Sequence, residues 1–144
     1  MLFRSNLLHI GIGNNLFYHL FKSKTKITGI TYSILEYEKA LKFRDNNYEI
    51  ILLNKYNPEL ENIINTYDYI IDNNICSYRC CELHAVNYFK TIINKLNDNG
   101  KILSDLAGWH YKFKDNIPID LESICNFVGA KYTIIDKVII LEKK

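Results

Sequence analysis

The chain has 144 residues, and 18 Lys and Arg against 16 Asp and Glu leave a net charge of only +2. With 48% hydrophobic and 24% charged residues, two prolines and six glycines, the composition excludes disordered, collagen-like and linker-type chains. No apolar run approaches the roughly 18–20 residues of a membrane-spanning helix. Met1-Leu2-Phe3-Arg4 lacks the charged leader and apolar core of a secretory signal, so a cytoplasmic protein is expected. Cys76, Cys80, Cys81 and Cys125 are then free thiols. The balanced charge and the three arginines (Arg4, Arg44, Arg79) argue against a nucleic-acid backbone as main partner. One domain over residues 1–144 is expected, and a chain this long buries roughly 68–70% of its unfolded surface.

Strand and helix patterns alternate along the chain. Residues 6–11 (N-L-L-H-I-G) read as a strand ending in glycine, and 14–22 carry Leu16, Phe17, Leu20 and Phe21 at helical spacing. Residues 26–31 read as strand. Residues 33–44 read as helix, with Ser33 and Glu36 spaced as a capping box. A third strand covers 48–54. Asn57-Pro58 then opens a helix that turns Leu60, Ile63 and Ile64 inward. Residues 67–72 form a fourth strand. The longest helix, 82–97, carries Val86, Phe89, Ile93 and Leu96 on one stripe and stops at Asn99-Gly100. A fifth strand covers 101–106, and Asp120 caps a short helix ending at Gly129. Residues 132–135 and 138–141 close the chain as a hairpin around Asp136-Lys137.

Alternation with continuously apolar strands predicts an α/β fold: a doubly wound, mostly parallel seven-stranded sheet with helices on both faces and a terminal antiparallel hairpin. Ligands on such sheets lie at the carboxyl ends of the strands. The first strand ends in Leu8-His9-Ile10-Gly11-Ile12-Gly13-Asn14-Asn15, where two glycines permit a tight turn and close approach of a ligand. A dinucleotide site would want a glycine where Leu16 stands and an acid where Thr31 stands, and no G-K-[ST] phosphate loop is present.

Residues 8–15 resemble the first motif of the class I S-adenosylmethionine (SAM)-dependent methyltransferases, a Rossmann-like family. Residues 27–33 (I-T-G-I-T-Y-S) look like that family's second strand and its ribose-binding end. Residues 67–74 look like its fourth strand, and 88–106 like its helix and fifth strand. The G-I-T-x-S stretch further resembles the cyclopropane-fatty-acid-synthase-like branch. The resemblance implies SAM as cofactor, held by His9, Gly11, Gly13, Asn14, Thr31, Tyr32, Asn54, Lys55, Asp72 and Asn73. His9, Asn15, Thr31 and Asn54 replace customary family residues. At Thr31 the usual ribose-binding carboxylate is absent. Glu36 either reaches that ribose from the next helix or only completes the capping box. Only about five residues precede the first strand, where the family has a covering segment. An open site is therefore expected, closed by a second copy, a partner subunit or a large substrate.

The loop after the fourth strand should border the transferred methyl group. Asn74, Trp109 and His110 are candidate contacts to a small-molecule or sugar-type acceptor, although Trp109 also fits a hydrophobic plug. His84 shares a helix face with Tyr88 and is a candidate base, as is Asp72. Both also read as structural residues, His84 on the helix surface and Asp72 capping a turn. Cys76, Cys80, Cys81 and His84 lack C-x2-C spacing, so no metal is expected. A non-catalytic partner subunit and a SAM-using enzyme of another reaction type are the alternative functions.

Overall fold

The computed structural model describes residues 4–77, 80–109 and 120–144. Seven strands form one sheet: β1 (Ser5–Ile10), β2 (Thr25–Thr31), β3 (Tyr48–Leu52), β4 (Tyr67–Ile71), β5 (Leu96–Asp105), β6 (Ala130–Ile135) and β7 (Val138–Lys143). Their order is β3-β2-β1-β4-β5-β7-β6. The first five are parallel, and β7 runs antiparallel between β5 and β6. Strand order reverses between β1 and β4, which opens the crevice where such sheets take ligands. The apolar interior falls into two clusters. One is centred on Leu8, Ile70, Phe89 and Ile92, the other on Leu7, Ile27, Tyr48 and Ile71. Leu7 and Leu8 alternate between them, as neighbouring strand residues must when both faces are covered.

The helices are α1 (Leu16–Phe21), α2 (Ile34–Leu41), α3 (Glu82–Asn94), α4 (Leu106–Trp109) and α5 (Leu121–Val128). Three expectations are corrected. The helix opened by Pro58 is a short 3-10 turn, Pro58–Asn62, whose end is extended at Ile63; Leu60 is buried, but Ile64 is fully in solvent. The long helix stops at Asn94 rather than 97. There Tyr67 N–H takes the Lys95 carbonyl at 2.8 Å, and Leu96 already pairs with Tyr67 in the sheet. The fifth strand yields at Leu106 to α4, where Asp105 Oδ1 accepts from Ala107 N–H at 2.7 Å. Among the described residues, no helix is long and apolar enough to cross a membrane.

Candidate functional site

A cavity of about 510 Å³ lies at the carboxyl ends of β1, β2 and β4, within the range of small-molecule sites. Its first wall is the turn after β1. Gly11, Gly13 and Asn15 all take positive φ (76°, 51° and 63°), so Asn15 does the work of a third glycine. A Cβ placed on Gly11 or Gly13 would meet open space, so the backbone itself faces the cavity there. Asn15 is locked from behind: Tyr48 OH donates to its Oδ1 at 2.7 Å, and burial pushes the Tyr48 phenol up to about 12, which keeps it a donor.

The second wall is the end of β2. Thr31 is buried and donates to Glu36 Oε2 at 2.6 Å. Ser33 Oγ accepts from Glu36 N–H at 3.4 Å, but the Glu36 carboxylate does not return to cap Ser33 N–H. That amide goes to Thr31 Oγ1 instead, at 3.1 Å. The capping box is therefore half made, and its carboxylate is turned into the cavity lining. Sequence spacing favoured the box because a three-residue interval cannot show that a neighbouring threonine will take the carboxylate.

The third wall follows β4. Asp72 is buried, and both its oxygens accept hydrogen bonds. Lys55 Nζ donates to its Oδ2 at 2.8 Å, Tyr88 OH to Oδ2 at 2.7 Å, and Asn74 N–H to Oδ1 at 3.0 Å. Lys55 also donates to the Asn74 and Ile75 carbonyls, so this group holds the whole 72–75 turn. Burial and the Asp72 charge raise the Tyr88 phenol well above its ordinary value, so it stays protonated as a donor. A Cβ on Gly108 would stand 1.8 Å from the Asn73 carbonyl oxygen, so only glycine lets α4 back this turn.

Of the expected site residues, Gly11, Gly13, Thr31, Tyr32, Asn54, Lys55, Asp72, Asn73 and Asn74 line one cavity. Asn14 faces an adjoining recess that shares Gly13 and Glu36 with it. His9 is buried edge-on to Phe17 and is not in the lining. Desolvation lowers its pKa to about 4 against the opposing pull of Asp72, so it is neutral near pH 7. His84 is exposed on α3, outside the lining, with its ring against Cys80 and Cys81. Trp109 is buried against Phe89 in the core rather than in the cavity. His110 lies outside the described residues. Sequence reasoning missed Tyr88 and Tyr56 as members of this end of the molecule. Tyr88 bonds Asp72, and Tyr56 OH donates to the Ser77 carbonyl at 2.6 Å. Neither has a motif; only the fold sets them beside β4.

The same architecture recurs in solved SAM-dependent methyltransferases. The chain superposes on the TehB-like SAM-dependent methyltransferase of Corynebacterium glutamicum with TM-score 0.72 and 14% identity, over 97% of this chain and 80% of that one. The sugar N-methyltransferase KedS8 of Streptoalloteichus sp. gives TM-score 0.71 and 9% identity, over 98% and 81%. PKMT2 of Rickettsia typhi, solved in complex with AdoHcy, gives 0.59 and 20%, over 74% of this chain and 22% of that one. No protein-family model matches the chain, and no curated protein matches it. The fold is thus the Rossmann-like class I methyltransferase fold, with the β5-β7-β6 arrangement of its closing strands.

Proposed function

We propose that the protein is a SAM-dependent methyltransferase acting on a small-molecule or sugar-type acceptor. The observation that carries this is the Thr31–Glu36 pair. It sets a carboxylate in the cavity beside the end of β2, where the family resemblance puts the carboxylate for the cofactor ribose. The cavity's residues suit the group. Gly11 and Gly13 present bare backbone, Glu36 offers acceptor oxygens to a diol, Leu53 and Tyr32 offer apolar surface to a base, and Asn54 offers a polar edge. The AdoHcy complex of one similar fold and the acceptor class of another support the same reading. The Gly29–Ser33 sequence is the support for kinship with the cyclopropane-fatty-acid-synthase-like branch.

SAM, when bound, supplies a methyl group on an electrophilic sulfonium, so positioning accounts for most of the rate. In this reading Asn73 and Asn74 orient the acceptor, and the Asp72–Lys55–Tyr88 group holds them in place. Asp72 is a positioning residue, because both its oxygens are already hydrogen-bonded. Residues 1–144 act as one domain, with a second copy or a partner subunit over the open side. The free thiols fit a cytoplasmic setting. A non-catalytic partner subunit is the second reading, favoured by the position of His84 outside the cavity.

Thermal unfolding with SAM, S-adenosylhomocysteine and NAD in parallel tests the proposal. A ligand at 100 times its Kd adds about 2.7 kcal/mol, a rise of roughly 5–10 °C at this chain length. A rise with the first two but not NAD, lost in Gly11→Val, is expected. No rise with either overturns the enzyme reading.

A further inference from the structure

Two thiols and an imidazole meet at the start of α3, outside the cavity lining. His84 Nδ1 lies 2.8 Å from Cys80 Sγ and 3.1 Å from Cys81 Sγ, and the two sulfurs are 4.0 Å apart. One imidazole nitrogen is thus shared by two sulfurs, each at hydrogen-bonding distance, so the three donor atoms already stand close together in the metal-free chain. Helix capping does not draw the sulfurs there. Cys81 is the N-cap of α3, and its side chain makes no hydrogen bond to the first-turn amides. Both thiols turn instead toward a common point.

A triangle with these sides has a circumradius of about 2.0 Å. Points therefore exist that are about 2.3 Å from each sulfur and 2.0–2.1 Å from the nitrogen, the zinc–thiolate and zinc–imidazole distances. We propose that Cys80, Cys81 and His84 form a binding site for a soft divalent metal ion, zinc(II) by chemistry, with a fourth position left to water. Two thiolates and an imidazole are the donor set such an ion selects. Sulfur and nitrogen stand about 3.5 Å apart across a tetrahedral zinc, so the ring draws back by about half an ångström on binding. His84 is exposed and has room to do so. The ion is held by the thiolate form of each cysteine, and any proton displaced on binding passes to solvent. The bound ion ties the chain that leaves the cavity rim at Ser77 to the helix that carries Tyr88. Spacing alone concealed the site because Cys76, the first cysteine of the run, is buried in the core and takes no part.

The test is titration of the metal-stripped full chain with cobalt(II), followed by zinc(II). One cobalt per chain is expected, with a thiolate-to-cobalt charge-transfer band that zinc abolishes. Cys80→Ser, Cys81→Ser and His84→Gln should each weaken binding by roughly tenfold or more. Cys125→Ser, in the core cluster, should leave the band intact. Far-ultraviolet circular dichroism of the metal-free variants checks that they fold. Absence of the band, its appearance only at millimolar cobalt, or its survival in the Cys80→Ser/Cys81→Ser double variant overturns the proposal. SAM binding is read separately, so failure of either proposal leaves the other standing.

Discussion

Two carboxylates face the same cavity and are built for different work. Asp72 is buried and takes three hydrogen bonds, one of them from the ammonium of Lys55. Glu36 is half-buried and, among the described residues, takes one hydrogen bond to its carboxylate, from Thr31. The more fully bonded group holds a turn in place. The other keeps more of its acceptor capacity on the cavity side. Exposure and donor count, rather than residue type, separate the two acids.

The largest effect that would break this contrast is on the Asp72 side. Removing one partner of a buried ion pair costs roughly 3–5 kcal/mol. Asp72→Ala should therefore lower the melting temperature by about 10 °C, with Tyr88 left as a buried donor without its acceptor. A melting temperature within about 2 °C of the parent would show that the network is not structural. Next comes His9, which lies in the field of Asp72. Its folded pKa of about 4 is below the unfolded value near 6.5, so the unfolded chain binds the proton first. Stability should be full above pH 6.5 and fall by up to about 3 kcal/mol as pH drops toward 4. Urea midpoints across that range read the slope, and His9→Asn should flatten it.

On the other side, Glu36→Gln should leave stability close to the parent. It should weaken SAM roughly 10- to 100-fold, the cost of losing one or two charged hydrogen bonds. Calorimetric titration reads this. An unchanged affinity with a lowered melting temperature would reverse the roles given to the two acids. The smallest effect is at Asn15. Asn15→Gly exchanges one hydrogen bond from Tyr48 for relief of a left-handed backbone, and should shift stability by less than about 1 kcal/mol. Asn15→Ala loses the bond and keeps the strain, so its stability, read from the urea midpoint, should fall further, by about 2 kcal/mol in all.

The parallel strand–helix alternation, the closing hairpin and the glycine turn after β1 were legible in the chain because each rests on local rules. Apolar runs separated by helical spacing imply a parallel sheet. A two-residue gap after residue 135 implies a hairpin. Gly11 and Gly13 permit positive φ, and asparagine tolerates it at residue 15. Nine of the expected contacts do line one cavity, since residues that follow parallel strands share an end of the sheet. Helix ends were less legible. Asn94 ends α3 because β4 captures the Lys95 carbonyl, a contact across 28 positions.

What the sequence by itself determined about this protein is its architecture and the end of the sheet where a ligand would sit, because period and turn chemistry are written within a few residues. Only the tertiary structure decided which polar groups are spent and which are available. Thr31 claims Glu36, Lys55 and Tyr88 bond Asp72, Phe89 takes Trp109 into the core, and two cysteines converge on His84. Most of these outcomes depend on burial and on partners far apart in the chain, and a carboxylate, thiol or imidazole has the same local sequence signal whether or not its bonds are already made.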